Sequence, residues 1–128
     1  MKLGYCILYV PDVPAALSFY ESAFGFSCKF LHESNTYGEL ATGATRLSFA
    51  AESLAETHGD FRPSRLAEKP CAMELALVTD DVAAAVKQAL AAGATLHAKA
   101  EQKPWGQTVA YVRDPNGFLI ELCTPIDS

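Results

Sequence analysis

The sequence is poor in the side chains that build transition-metal centres and nucleic-acid surfaces. Only three histidines occur in 128 residues, with four cysteines and one tryptophan. Base is scarce as well: ten Lys and Arg against fifteen Asp and Glu leave a formal charge of −5. A chain without a clustered basic patch is not built for nucleic acid or an anionic membrane surface. No apolar run approaches the length of a membrane span, and the opening MKLGYCILYVPDV brings acid and proline too early for a secretory signal. A cytoplasmic protein is expected, with neither nucleic acid nor membrane as partner. Cys6, Cys28, Cys71 and Cys123 form no CxxC pair, so reduced thiols are expected. Cys6 and Cys28, in apolar runs, read as small buried hydrophobes.

Half the residues are hydrophobic and a fifth charged, enough apolar material for one domain or two half-size units with a shared core. Self-similarity favours the second plan. Tyr5 to Val10 is an apolar run; Asp12 then caps a helix with Pro14 in its first turn; Val13, Ala16, Leu17, Tyr20 and Phe24 repeat at helical spacing up to Gly25. Glu74 to Val78, Asp80 or Asp81 as cap, the stripe Val82, Val86, Ala89 and Leu90, and Gly93 repeat that order. Short extended segments follow each helix: Phe26 to Glu33, Thr36 to Ala41 and Thr45 to Ala50, then Thr95 to Ala100, Gln107 to Arg113 and Phe118 to Cys123. Asp114-Pro115-Asn116-Gly117 is a strong turn signal before the last.

Each half therefore reads βαβββ, residues 1–51 and 71–128, joined by a connector over 52–70 whose first residues suit a helix. The expected fold is α+β: two βαβββ modules forming an open, cupped mixed sheet with helices outside, and a cavity lined by alternate strand residues. Glu74 and Glu121 are carboxylates inside otherwise apolar runs, which argues against their pointing into packed helices.

The segments YVPDVPAALSFYESAFGF (9–26), ELALVTDDVAAAVKQALAAGA (74–94) and WGQTVAYVRDPNGFLIEL (105–122) resemble the vicinal oxygen chelate superfamily, the group of glyoxalase I, bleomycin- and fosfomycin-resistance proteins and extradiol dioxygenases. In its metal-dependent members, the resemblance implies, one ligand comes from the first and one from the last strand of each half. Those positions fall on Tyr5, Ser48, Glu74 and Glu121. Two carboxylates without histidine make a weak site for zinc, nickel or iron. No cofactor is therefore expected, a divalent metal at Glu74 and Glu121 being the alternative.

Same-face neighbours extend the candidate ligand-binding set to Tyr5, Ile7, Tyr9, Arg46, Ser48, Glu74, Trp105, Tyr111 and Glu121, with Arg46 as a partner for the buried carboxylates. His97 faces either solvent or cavity. The expected function is small-molecule binding in an apolar-aromatic cavity, as in bleomycin resistance, by a homodimer whose halves pair within one chain or exchange between two. Its alternative is a lyase or dioxygenase using Glu74 and Glu121 with a metal, or Glu121 alone as the catalytic general base.

Overall fold

A computed structural model describes residues 1–126. The chain divides into two compact units, Met1–Pro63 and a second that begins at Ser64. In the first, β1 (Cys6–Val10), α1 (Val13–Phe24), β2 (Ser27–Leu31), β3 (Tyr37–Ala41) and β4 (Leu47–Ala51) precede a single helical turn, α2 (Glu52–Glu56). The second holds β5 (Glu74–Val78), α3 (Val82–Ala91), β6 (Thr95–Gln102), β7 (Thr108–Arg113) and β8 (Leu119–Cys123). Each unit is an open four-stranded mixed sheet, ordered β1-β4-β3-β2 and β5-β8-β7-β6. The first strand runs parallel to the last and the other pairs are antiparallel.

The helices form where the sequence punctuates them. Asp12 accepts from the Ala15 N–H at 3.0 Å, and Asp81, rather than Asp80, accepts from Ala84 at the same distance. Gly25, at φ +77°, takes the left-handed conformation that ends α1 and returns its N–H to the Glu21 carbonyl. One face of α1 is buried through Val13, Ala16, Leu17, Phe19, Tyr20 and Ala23, and the Tyr20 ring meets Phe49 of β4 at 4.9 Å between centroids. Leu8, Val10, Leu47 and Phe49 complete this core; Ile120, Leu122, Ala110 and Val112 form its counterpart under α3. Among the described residues no helix is long and apolar enough to cross a membrane.

Strand ends differ from expectation by a residue or two, except that β6 runs on to Gln102 because Glu101 and Gln102 still pair with Val109 and Thr108. The connector is not one linker. Its start is α2, and its end belongs to the second unit, where the Arg113 guanidinium donates to the carbonyls of Arg65, Leu66 and Glu68 as well as to Gly117. Cys28 is exposed rather than buried, since all five residues of the edge strand β2 are exposed; Cys6 is half-buried, and Cys123 is the buried thiol.

One irregularity recurs in both sheets. In β2, Cys28 pairs with Leu40 and Phe30 with Glu39, leaving Lys29 as an extra residue. In β6, Leu96 pairs with Val112 and Ala98 with Tyr111, leaving His97 in the same place. Such a bulge switches the face presented by the following residues and re-aims the extra one. It sets the polar groups described next.

Candidate functional site: two polar sheet faces

Register shows which side chains share the face turned away from each main helix. In the first unit, Ser48 lies opposite both Ile7 and Glu39, while Tyr37 and Tyr9 both lie opposite Ala50. In the second, Glu121 lies opposite Ala76 and Tyr111, and Glu74 opposite Leu119. Ser48 and Glu121 are therefore equivalent by strand pairing, and so are Glu39 and Tyr111. Around these equivalent positions the two units carry different chemistry.

The first face is built on an ion-paired carboxylate. Glu39 is 1% exposed, and Arg46 approaches it with two donors, Nε to Oε2 at 3.0 Å and Nη2 to Oε1 at 2.7 Å. Lys29 on the bulge adds a third contact at 3.2 Å. The Arg46 hydrogen bonds, offset in part by burial, hold the Glu39 carboxyl below its ordinary value, and the same bonds keep Arg46 cationic. The guanidinium also lies over the Tyr5 ring, 4.3 Å from its centroid. Phe30 stacks on Tyr37 and Tyr9 leans on Phe61, each pair 5.9 Å apart. The Ser48 hydroxyl is buried and has no hydrogen-bond partner among the described residues.

Arg46 is thus the partner of Glu39, whereas the sequence reading offered it to the family-position carboxylates. Glu39 was missed there, although the signal that singles out Glu74, a carboxylate inside a short apolar strand, is present in YGELA too. Ion pairing across adjacent strands favours residues close in the same sheet, and Glu39 and Arg46 are joined through the β3–β4 turn.

The second face is built on two acids. The Tyr111 hydroxyl donates to Glu121 Oε1 at 2.8 Å, and the Glu121 carboxyl lies close enough to act on that of Glu74. Partial burial, reinforced by Glu121, pushes the Glu74 carboxyl above its ordinary value. The hydrogen bond to Glu121 and burial push Tyr111 up to about 12. Burial and the same carboxyl push the Cys123 thiol up to about 11, so this thiol stays protonated at neutral pH and is no nucleophile. Neither Glu74 nor Glu121 makes an ion pair with a cationic side chain among the described residues.

His97, on the bulge equivalent to Lys29, is exposed and sets its ring edge against Tyr111, 6.5 Å between centroids. Trp105 is 65% exposed, with its Nε1–H donating to Gln107 Oε1 at 2.8 Å. Gln107 in turn donates to the Thr124 carbonyl at 2.8 Å, which fixes the turn before β7.

Residues 2–122 match the family model of the Glyoxalase/Bleomycin resistance protein/Dioxygenase superfamily. The chain belongs to this superfamily. Its relatives include the uncharacterized protein YraH of Bacillus subtilis (strain 168), 27% identical over 95% of this chain and 97% of that one. A glyoxalase-related enzyme from Fulvimarina pelagi has a similar structure, with a TM-score of 0.82 at 26% identity, over 97% of this chain and 88% of the other. A glyoxalase/bleomycin resistance protein/dioxygenase family enzyme from Burkholderia phytofirmans PsJN shares the fold, at TM-score 0.76 and 23% identity, over 94% and 95% of the two chains.

Superfamily membership raises the question of a metal, and the donors here do not fit one. The family's ligand positions hold a phenol and a hydroxyl in the first unit, Tyr5 and Ser48, and two carboxyls in the second, Glu74 and Glu121. Glu121 also accepts from Tyr111, so its lone pairs are partly engaged. Among the described residues no cluster of three or more His, Cys, Asp or Glu stands ready for an ion. Zinc, nickel and iron sites draw on imidazole or thiolate together with carboxylate, and neither imidazole nor thiolate stands at these positions.

Proposed function

We propose that this superfamily member is a cytoplasmic, homodimeric small-molecule-binding protein that works without a bound metal. In this reading Glu74 and Glu121 receive a cationic or hydrogen-bond-donating group of the ligand, and Tyr111 orients Glu121. The observation that supports it is the paired carboxyls of the second sheet, which have no cationic side chain of their own. A ligand ammonium or amidinium would favour the charged form of Glu74 and satisfy both acids with charge-assisted bonds. Exposed Val78, on the same strand as Glu74, suits the hydrocarbon part of such a ligand.

A panel of aromatic amines and amidines, read by the shift in melting temperature and then by calorimetry, tests the reading. At least one should raise the melting temperature, and Glu121→Gln should weaken its binding about tenfold, the cost of losing one charge-assisted contact. Unchanged binding in that variant, or no shift across the panel, counts against it. Titration with nickel, zinc, iron and manganese should give no stoichiometric uptake; tight uptake lost in Glu121→Gln would favour the lyase or dioxygenase alternative. The pair of acids also has the parts of a metal-free general base, and in that case Glu121→Gln abolishes turnover.

A further inference from the structure

We propose that the first sheet carries an anion site built on Arg46, Lys29 and Ser48, shaped for the carboxylate of a planar aromatic acid. This rests on the reading that the chain binds small molecules, and adds a second ligand chemistry to it.

Charge comes first. Two cations share one carboxylate, and that carboxylate is almost wholly covered: the Glu39 side chain is 2% exposed, against 38% for Arg46 and 53% for Lys29. Water and ligands therefore meet a local surplus of one positive charge, on a chain whose formal charge is −5. A monoanion matches that surplus; a phosphate dianion would overshoot it.

Preorganisation comes second. Glu39 occupies Nε and Nη2, and the Tyr5 ring supports the plane of the guanidinium from one side. The fork is fixed before any ligand arrives, so little side-chain entropy is lost on binding.

The Ser48 hydroxyl is an independent mark. It sits on the same face as Arg46 and Glu39, fully buried, with no acceptor or donor among the described residues. Buried polar atoms are nearly always satisfied, and an exception asks for a missing partner. The second oxygen of a bound carboxylate supplies an acceptor once it enters beside Arg46. Tyr5, Ile7 and Phe30, each more than 40% exposed, offer apolar surface for a flat ring next to that charge.

The test uses benzoate, its neutral isostere benzamide, and phenyl phosphate on the full chain at neutral pH and low salt, read by melting temperature and calorimetry. Benzoate should raise the melting temperature in a concentration-dependent way and bind at least tenfold tighter than benzamide and more tightly than phenyl phosphate. Lys29→Gln should weaken benzoate several-fold. Arg46→Lys, which keeps a cation beside Glu39 but loses the planar fork, should weaken it about tenfold. Ser48→Ala should weaken benzoate while leaving the unliganded melting temperature unchanged or higher, because it removes an unsatisfied buried hydroxyl.

Equal binding of benzoate and benzamide, tighter binding of phenyl phosphate, or benzoate affinity unmoved in both Lys29→Gln and Arg46→Lys overturns the site. No benzoate binding with an intact amine panel sinks this inference alone. Benzoate binding with no response from the amine panel removes only the cation reading of Glu74 and Glu121.

Discussion

Glu74 and Glu39 answer to acid in opposite ways. Glu74 holds its proton more readily folded than unfolded, because partial burial and the Glu121 carboxyl both penalise its charge. Its contribution to stability is complete below the ordinary carboxyl value and is lost as the pH rises through its raised one. Glu39, held down by Arg46, contributes above the ordinary value and loses that contribution as the pH falls through its lowered one. Glu74→Gln keeps a hydrogen-bond donor beside Glu121 and removes the titration. The melting temperature of the variant, measured against wild type across pH 3 to 8 by about half-unit steps in the range where carboxyls titrate, should match wild type in acid and exceed it increasingly as pH rises. A flat or opposite trend would show that folding does not raise the Glu74 carboxyl. Alternation and the rarity of buried carboxylates make Glu74 and Glu121 legible in the sequence. Applied evenly, the same rule finds Glu39. What it cannot find is the choice of partner: Lys29 reaches Glu39 because an inserted residue turns it there, and no periodicity carries that information.

At the scale of elements, caps and turns were the legible part. Asp12, Gly25, Asp81 and Gly93 stand where helix chemistry requires them, and the Asp114-Pro115-Asn116-Gly117 turn forms as composition suggests. In that turn Asp114 accepts from the Asn116 and Phe118 amides, both at 2.9 Å. Less legible is what the turn supports. Gly117, at φ +90°, would place a Cβ 2.5 Å from the Arg65 carbonyl oxygen and 2.8 Å from Arg113 Nη2, so its lack of a side chain lets the 64–70 segment close against β7. Arg113 then ties that segment down through the Leu66 carbonyl at 3.0 Å and the Glu68 carbonyl at 2.7 Å. Gly117→Ala meets both a strained backbone and a backbone clash, and should cost more than about 1 kcal/mol. Trypsin cleavage after Arg65 should accelerate in Gly117→Ala and in Arg113→Lys, which has one donor group in place of a fork. Wild-type cleavage rates in both would mean the segment is held by something else.

At the scale of the molecule, the chain is one plan written twice and then edited. Strand order, cap, glycine and bulge recur, while the polar groups they carry do not: Lys29, Glu39, Ser48 and Tyr5 in one unit answer to His97, Tyr111, Glu121 and Glu74 in the other. The recurrence is legible because backbone demands repeat in residue type. The divergence is legible only once register is known, because equivalence runs through strand pairing rather than through a constant spacing. Edge strands as exposed as β2 and β6, and exposed apolar residues such as Ile7, Phe30, Met73 and Val78, leave surface for a second copy. Light scattering on the purified chain should return twice the mass of one chain; a monomer at micromolar concentration would remove the dimer from the proposed function.

The Arg113 clamp also decides where this chain could be lengthened. All three connector carbonyls it grips lie beyond Ser64, so the stretch that joins the units without being claimed by that clamp is residues 57–63, far narrower than the 52–70 suggested by proline and charge. Gly59, exposed and at φ +133°, is the natural graft point there for a fluorescent reporter or a tether. The same insertion at Leu66 would break the Arg113 hydrogen bonds that hold this segment to the second unit.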